Sequence, residues 1–238
     1  MFEFFQSADF MKEVDYLVRN LPFNIWETLF MTILTTAIAY VIGLPLGVML
    51  VAGESDGVRP LPKPLMRVLN IIINLLRSVP FLILMILVIP LSRLILGTSV
   101  GTAAAIIPLV VAAFPFVARL VEGSIREMDK GIIEAAQSMG CTPMQIITKV
   151  MLPECKPALL NGFTTACITI LSYGAMAGAI GAGGLGNMAI NYGFQRRHLF
   201  VMWVAVIVLV ILVQIFQSVG TRIAVRSDKR NAGRIKKK

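Results

Sequence analysis

Charged residues are scarce in this chain. Only 15% of its 238 residues are Asp, Glu, Lys or Arg, whereas a soluble domain carries about 25%. Hydrophobic residues make up 57% of the chain, and its mean hydropathy is +0.80. A 26.0 kDa globule cannot bury that much apolar surface without leaving long apolar runs outside. The composition therefore excludes an ordinary soluble domain and indicates a protein that uses the lipid bilayer as its solvent.

Residues that carry catalytic or metal chemistry are also few. The chain has one histidine, His198, and three cysteines without metal-ligand spacing. No nucleophile and base can be paired, which argues against an intramembrane enzyme. The predicted spans hold almost no Asp, Glu or His, so the proton relay that a proton-coupled transporter would usually carry is missing. These absences favour a transport role that is driven from outside the membrane part.

Nucleotide-binding motifs give a negative result. No GxxxxGK[ST] motif occurs, so the chain cannot hold ATP in a P-loop of its own. GAGGLG at residues 181–186 does match GxGxxG. It follows an apolar helix instead of a strand, however, and no acidic residue lies about 20 positions further on, where the dinucleotide fingerprint requires one. We therefore interpret these glycines as a turn with close helix contacts.

Five continuous apolar runs are long enough to cross a bilayer, which takes about 20 residues per helix. Continuous runs predict helices, because the strands of a membrane barrel alternate apolar and polar residues. The sequence thus predicts an all-α membrane protein with a transmembrane domain over residues 24–222. The five predicted spans are residues 26–52, 66–96, 102–121, 158–180 and 199–223.

The ends of the chain are predicted to lie outside this domain. Residues 1–23 carry acidic residues where a signal peptide would be basic. Their apolar positions, from Phe2 and Phe5 to Leu17, allow a helix on the membrane surface or a short lead-in without its own function. Residues 223–238 form a basic tail behind a span, which favours anionic lipid over nucleic acid. Most of the 22 Lys and Arg lie inside if the N-terminus is outside and the C-terminus is cytoplasmic.

The cytoplasmic loop predicted over residues 122–157 is organised. Apolar positions from Ile132 to Met139 follow a helical period, and Gly140 is placed to end that helix. Thr142, Pro143 and Gln145 form a start signal for a second short helix that runs to Leu152. Two alternatives remain from the residues alone. The loop packs against its own helices, or its small residues form a surface on which another protein docks.

The same loop resembles the signature loop of the permease subunits of ABC importers. The resemblance rests on Glu134-Ala135-Ala136, on Gly140 and on Leu152-Pro153, with Val150 two residues before the Leu-Pro pair. It implies a type I importer permease whose loop is a coupling helix docked on an ATP-hydrolysing subunit. The implied docking residues are Glu134, Ala135, Ala136, Met139, Gly140, Thr142 and Pro143.

Four further stretches are similar to the methionine-uptake permeases of bacteria. They are WETLFMTI at 26–33, GLPLGV at 43–48, RSVPFLIL at 77–84 and AIGAGGLGNMAINYGFQR at 179–196. The resemblance implies an inner-membrane importer of methionine, in either hand, that carries no cofactor itself. It implies two ATPase subunits that bind ATP-Mg, and an external substrate-binding protein. Two alternative functions remain open. The first is import of another amino acid or a short peptide, and the second, which is less favoured, is transport driven by an ion gradient.

The substrate path is predicted near the fourth span, which is rich in small and polar residues. Five spans are few for enclosing a path, so we expect a homodimer with the path near its twofold axis. Met176 is a bulky side chain among small ones, and a thioether suits an apolar substrate or a gate as well as packing. Arg77 either faces the interior or reaches the inner interface. The candidate path residues are Arg77, Ser172, Tyr173 and Met176.

Overall fold

Long helices dominate the structure, as the sequence predicts. The computed structural model describes residues 8–228, and this part of the chain contains no strand. The helices are α1 (Ala8–Ala52), α2 (Lys63–Ser78), α3 (Phe81–Leu96), α4 (Thr102–Arg126), α5 (Lys130–Ser138), α6 (residues 143–154), α7 (Lys156–Ala177), α8 (residues 184–195) and α9 (Leu199–Ser227). Wider π-helical turns occupy Ile146–Met151 in α6 and Met188–Gln195 in α8.

Among the described residues, four helices are long and apolar enough to cross a membrane alone. These are α1, α4, α7 and α9. The span predicted at 66–96 is made of two helices, because the chain breaks between α2 and α3. Val79 adopts an extended conformation before Pro80, since the proline ring disfavours the helical region for its predecessor and offers no amide donor. If the broken pair crosses as one span, the total is the predicted five.

No helix end marks the boundary predicted at residue 23. α1 runs without interruption from Ala8 to Ala52, a length of about 68 Å at 1.5 Å per residue, against a hydrocarbon core of about 30 Å. Five of its polar side chains bond to the carbonyl four residues back, at 2.7–2.8 Å, and so satisfy themselves within the helix. These side chains are Asn20, Asn24, Thr28, Thr32 and Thr36.

Two other helices also outrun their predicted spans. α4 continues to Arg126 and α9 to Ser227, so each helix extends beyond its predicted span, α4 into the predicted loop and α9 into the predicted tail. Apolar runs mark the bilayer, whereas a helix continues through polar residues that can reach water. The prediction for Phe2 and Phe5, and the basic tail from residue 229, lie outside the described residues.

The chain divides into two compact units. The first comprises residues 1–36, 81–111 and 167–215. Its core contains Leu185, Met188 and Val201, from α8 and α9, together with Leu17 of α1. The Tyr16 and Tyr192 rings stack beside this core with centroids 3.6 Å apart.

The second unit comprises residues 37–80, 112–166 and 216–238. Its core joins Leu50 of α1, Ile73 of α2 and Ala118 of α4. α1 approaches α4 closely at Gly43 and Gly47, a GxxxG pair of the kind that lets membrane helices pack backbone to backbone. A Cβ on Gly47 would lie 2.6 Å from the Ala118 carbonyl oxygen and from the Val121 Cβ, so the contact requires glycine.

Candidate functional site

The loop segment between α4 and α7 is a pair of short helices with defined ends. Asp129 caps α5, and its carboxylate accepts a hydrogen bond of 2.8 Å from the Gly131 amide. Gly140 follows α5 with φ +78°, the left-handed conformation that favours glycine at a helix end. The predicted glycine stop is confirmed, and the chain turns sharply there.

The capping box at the start of α6 is also confirmed. The backbone amide of Gln145 donates a hydrogen bond to Thr142 Oγ1 at 3.4 Å, and the backbone amide of Thr142 donates one to Gln145 Oε1 at 2.9 Å. Pro143 occupies the first helical turn, as predicted. The helix was predicted to end at Leu152, but it continues through Pro153. This proline opens a last turn, Leu152–Glu154, where the missing amide donor is tolerated.

Most of the predicted docking residues form an exposed strip along α5 and the turn that follows. Glu134, Ala135, Met139, Gly140, Thr142 and Pro143 are all exposed. Ala136 differs, because it is 2% exposed, and the structure therefore removes it from the predicted docking surface. Ile146 and Met151 of α6 are the buried apolar side chains of this part of the second unit. We call the six exposed residues the docking strip.

A network of charged and amide side chains in the second unit was not predicted. Arg126, at the end of α4, bonds to Glu54 at 2.6 Å and to Glu122 at 2.9 Å. Glu122 also pairs with Arg119 at 2.5 Å. Arg119 donates in turn to Asn70 and Asn74 of α2, at 2.8 Å each. The sequence did hold a signal for it, since Arg119, Glu122 and Arg126 recur at three- and four-residue spacing on one helix face.

A cavity of about 550 Å³ lies beside this network. Its lining includes Glu54 and Asp56 from the segment after α1, Arg126 at the end of α4, and Lys130 and Glu134 of α5. It is therefore a space lined by several charged side chains, one of which, Glu134, also belongs to the docking strip.

Two of the predicted path residues line an apolar cavity of the first unit, which measures about 520 Å³. Met176 is 45% exposed and faces it together with Ser172, which also bonds to the Ile168 carbonyl at 3.1 Å. The remaining walls come from α8 and α9 and are apolar except for Gln214. Sequence reasoning missed Gln214, although an amide side chain within the apolar α9 is a recognisable signal for a functional position.

The other two predicted path residues do not line this cavity. Tyr173 stacks on Phe81, with ring centroids 4.3 Å apart and ring planes 6° from parallel. It thus joins α7 to the start of α3 within the first unit. Arg77 is exposed near the end of α2 in the second unit, one residue before the helix ends.

The GAGGLG segment forms a turn, as interpreted from the sequence. Gly181, Gly183 and Gly184 all have positive φ. The turn presents two backbone amides to α1: Gly184 donates to Glu27 Oε2 at 2.8 Å, and Leu185 donates to Thr28 Oγ1 at 2.9 Å. A carboxylate of the chain itself thus occupies the amides that a nucleotide phosphate would need.

Comparison with known proteins identifies the family. The sequence profile described as "Binding-protein-dependent transport system inner membrane component" matches residues 43–231. The chain belongs to this family. It is a multi-pass inner-membrane permease subunit. A probable D-methionine transport system permease protein of Vibrio cholerae is 49% identical to it over 205 residues, which are 86% of this chain and 91% of that protein.

Solved structures support the same assignment. An inward-facing structure of the MetNI methionine ABC transporter contains a chain that matches the permease with a TM-score of 0.87 at 44% identity. The match covers 90% of the permease and 98% of that chain. An amino acid ABC transporter determined with histidines matches with a TM-score of 0.72 at 22% identity, which shows the fold alone. The type I permease fold implied by the signature loop is confirmed.

Proposed function

We propose that this permease is the membrane subunit of an ATP-driven methionine importer. The observation that carries the substrate is the 49% identity, over 91% of its length, to a relative named for D-methionine transport. The apolar cavity beside Met176 fits such a substrate, because a thioether side chain is apolar and packs well against aliphatic and sulfur groups. Ser172 and Gln214 are the polar groups of its lining that would orient the amino acid.

The docking strip is the surface on which the ATPase subunit binds. Its residues are small or end in flexible groups, apart from Pro143, so the backbone of a partner can approach closely. Capping at Asp129 and Thr142 makes α5 and α6 stiff, and a stiff element transmits a displacement instead of absorbing it. In this proposal ATP-Mg is bound by the partner, while the permease provides the two-state element that ATP and substrate both bias.

A second copy of the permease completes the path, and an external binding protein delivers the substrate. Orientation with the N-terminus outside and the C-terminus cytoplasmic follows from the distribution of Lys and Arg. It places the docking strip in the cytoplasm, where an ATPase has access to ATP. An importer of another amino acid or short peptide is the alternative within the same family.

Affinity purification of the tagged permease from its native membrane in mild detergent tests this assembly. We expect an ATPase with a P-loop to co-purify with the permease. The two chains should be present in a 1:1 ratio, because the proposed complex contains two copies of each. Labelled methionine should then be displaced from the complex and its binding protein by unlabelled methionine and not by histidine. A permease that purifies alone under several gentle conditions would contradict the proposal.

Cysteine labelling tests the orientation. Cys141 is half-exposed beside the docking strip, whereas Cys155 is 4% exposed, and burial raises the pKa of the Cys155 thiol to about 11. Because the thiolate is the reactive form, a membrane-impermeant maleimide at neutral pH should label Cys141 alone. Labelling is expected in inverted vesicles that lack the ATPase and not in intact spheroplasts. A Cys141→Ser variant is the control, and labelling of Cys141 from outside would reverse the proposed topology.

Shortening Met176 tests the apolar cavity. We expect Met176→Ala to raise the KM for methionine uptake about tenfold, because about 1–2 kcal/mol of apolar contact with the substrate is lost. Assembly with the ATPase should be unchanged. Met49→Ala removes an exposed methionine outside the cavity and serves as the matched control. Equal KM values for wild type and Met176→Ala would exclude this residue from the path.

A further inference from the structure

The end of α4 holds an unusual concentration of polar contacts for a membrane helix. Arg126 is its last residue, and only residues 127 and 128 separate it from Asp129, the cap of α5. That connection is a tight turn, closed by hydrogen bonds from the Glu127 amide to the Gly123 carbonyl and from the Met128 amide to the Ile125 carbonyl. A displacement of α5 must therefore reach the guanidinium of Arg126.

From Arg126 the contacts continue in two directions. One leads to Glu54, which lies just beyond the end of α1 and accepts from both Arg126 Nη atoms, at 2.6 and 3.3 Å. The other leads through Glu122 and Arg119 to the amide oxygens of Asn70 and Asn74 on α2. One continuous series of polar contacts thus joins the base of α5 to the end of α1 and to the middle of α2.

The segment that Glu54 begins is itself ordered. The Arg59 amide donates to the Ala52 carbonyl at 2.8 Å, and the Leu61 amide donates to the Gly53 carbonyl at 3.0 Å. The charged cavity of about 550 Å³ separates this segment from the exposed face of α5. The ion pair Arg126–Glu54 joins this segment to the end of α4 beside the cavity.

A contribution to folding stability does not explain well why charged side chains occupy these positions. The Arg126 and Glu54 side chains are 46% and 37% exposed, and ion pairs at such exposure contribute little to stability. Glu122 is 10% exposed, and a buried pair is often no more stable than apolar side chains of the same volume. Arg119 Nε is buried without a hydrogen-bond partner among the described residues. This N–H group is therefore available to donate a hydrogen bond when the side chains of the network rearrange.

We propose that Arg126, held between Glu54 and Glu122, is the positioning residue through which movement of the docking strip reaches α1 and α2. This inference rests on the proposed function, since it takes the ATPase to be what moves the strip. When α5 moves, Arg126 moves with it and shifts between its two carboxylates, while Glu54 carries the displacement into the segment between α1 and α2. Loss of the pair separates ATP hydrolysis from transport without separating the subunits.

The test uses the whole transporter in proteoliposomes and measures two quantities. These are the ratio of methionine imported to ATP hydrolysed and the amount of ATPase that co-purifies with the permease. Arg126→Gln and Glu54→Gln are each expected to lower the ratio about 5- to 10-fold, a usual size for coupling between sites, with co-purification unchanged. The double variant should be no worse than Arg126→Gln alone, because Arg126→Gln already removes the one contact that Glu54→Gln removes. Arg19→Gln, which breaks the exposed pair Arg19–Asp15, should leave the ratio unchanged.

Three results would overturn the inference. The first is a ratio in Glu54→Gln equal to that of wild type, and the second is a double variant whose defect is the product of the two single defects. The third is loss of the ATPase from the single variants, which would make Arg126 and Glu54 docking residues. A wild-type permease that binds no ATPase would instead overturn the proposed function itself. Glu54→Gln changes an exposed side chain and therefore keeps the test valid if Arg126→Gln fails to fold.

Discussion

Ala135→Trp is expected to abolish ATP-driven uptake while the permease itself stays folded. Ala135 lies on the exposed face of α5, so the large indole can point into solvent, and tryptophan is tolerated in a helix. In the complex, however, the indole would occupy the space next to Ala135 into which the ATPase subunit fits. One clash at the centre of an interface costs about 2 kcal/mol or more, so ATPase association should weaken about 30-fold or more.

The matched control for this change is Ala135→Ser, which keeps the residue small at the same position. It should bind the ATPase and support uptake close to wild-type levels. Uptake of labelled methionine and ATPase co-purification are both measured, and the elution volume of the purified permease reports its folding. Normal uptake by Ala135→Trp would show that α5 is not the docking element. Gly140→Trp should have the same effect, with the added strain of a non-glycine residue at φ +78°.

Gly47→Leu should prevent the second unit from folding. The new side chain would begin 2.6 Å from the carbonyl oxygen of Ala118 and from Val121 Cβ, and neither the α4 backbone nor a β-branched side chain can move aside cheaply. Even Gly47→Ala should cost about 1–3 kcal/mol, as overpacked sites usually do. We expect Gly47→Leu to be nearly absent from membranes and Gly47→Ala to unfold at a lower temperature in detergent.

A second glycine provides the control for this prediction. Gly123 lies in α4, in the same unit, and a Cβ there would meet no atom within 4 Å. Gly123→Leu should therefore accumulate like the wild type, and Gly123→Ala should be slightly more stable because alanine favours the helix by about 1 kcal/mol. Equal accumulation of Gly47→Leu and Gly123→Leu would refute the close packing of α1 and α4.

The sequence predicted local structure best where a single residue type determines it. Gly140 and the Thr142 capping box were placed correctly, because a left-handed turn and an N-cap each depend on a few neighbouring side chains. The turn at GAGGLG was predicted as well. Its partner, the carboxylate of Glu27, was not, because the two lie 157 residues apart and nothing local links them.

Helix ends and burial were predicted less well. Hydropathy detected the apolar lengths and not the ends of α1, α4 and α9, because these helices continue beyond the lipid. Hydropathy alone does not show the break between α2 and α3, which Pro80 in the sequence allows. Ala136 was assigned to the exposed face by resemblance, whereas only packing shows that it is buried. In contrast, GLPLG at 43–47 and the spacing of Arg119, Glu122 and Arg126 were signals already present in the sequence.

Uptake into proteoliposomes tests the central claim most directly. The permease is reconstituted with its ATPase, the binding protein is added outside, and labelled methionine is followed with or without ATP-Mg inside the vesicles in the absence of any ion gradient. We predict accumulation that requires ATP-Mg, the binding protein and the ATPase, and that is lost with Ala135→Trp. Accumulation by the permease alone under a proton or sodium gradient, unaffected by ATP or by Ala135→Trp, would contradict the account.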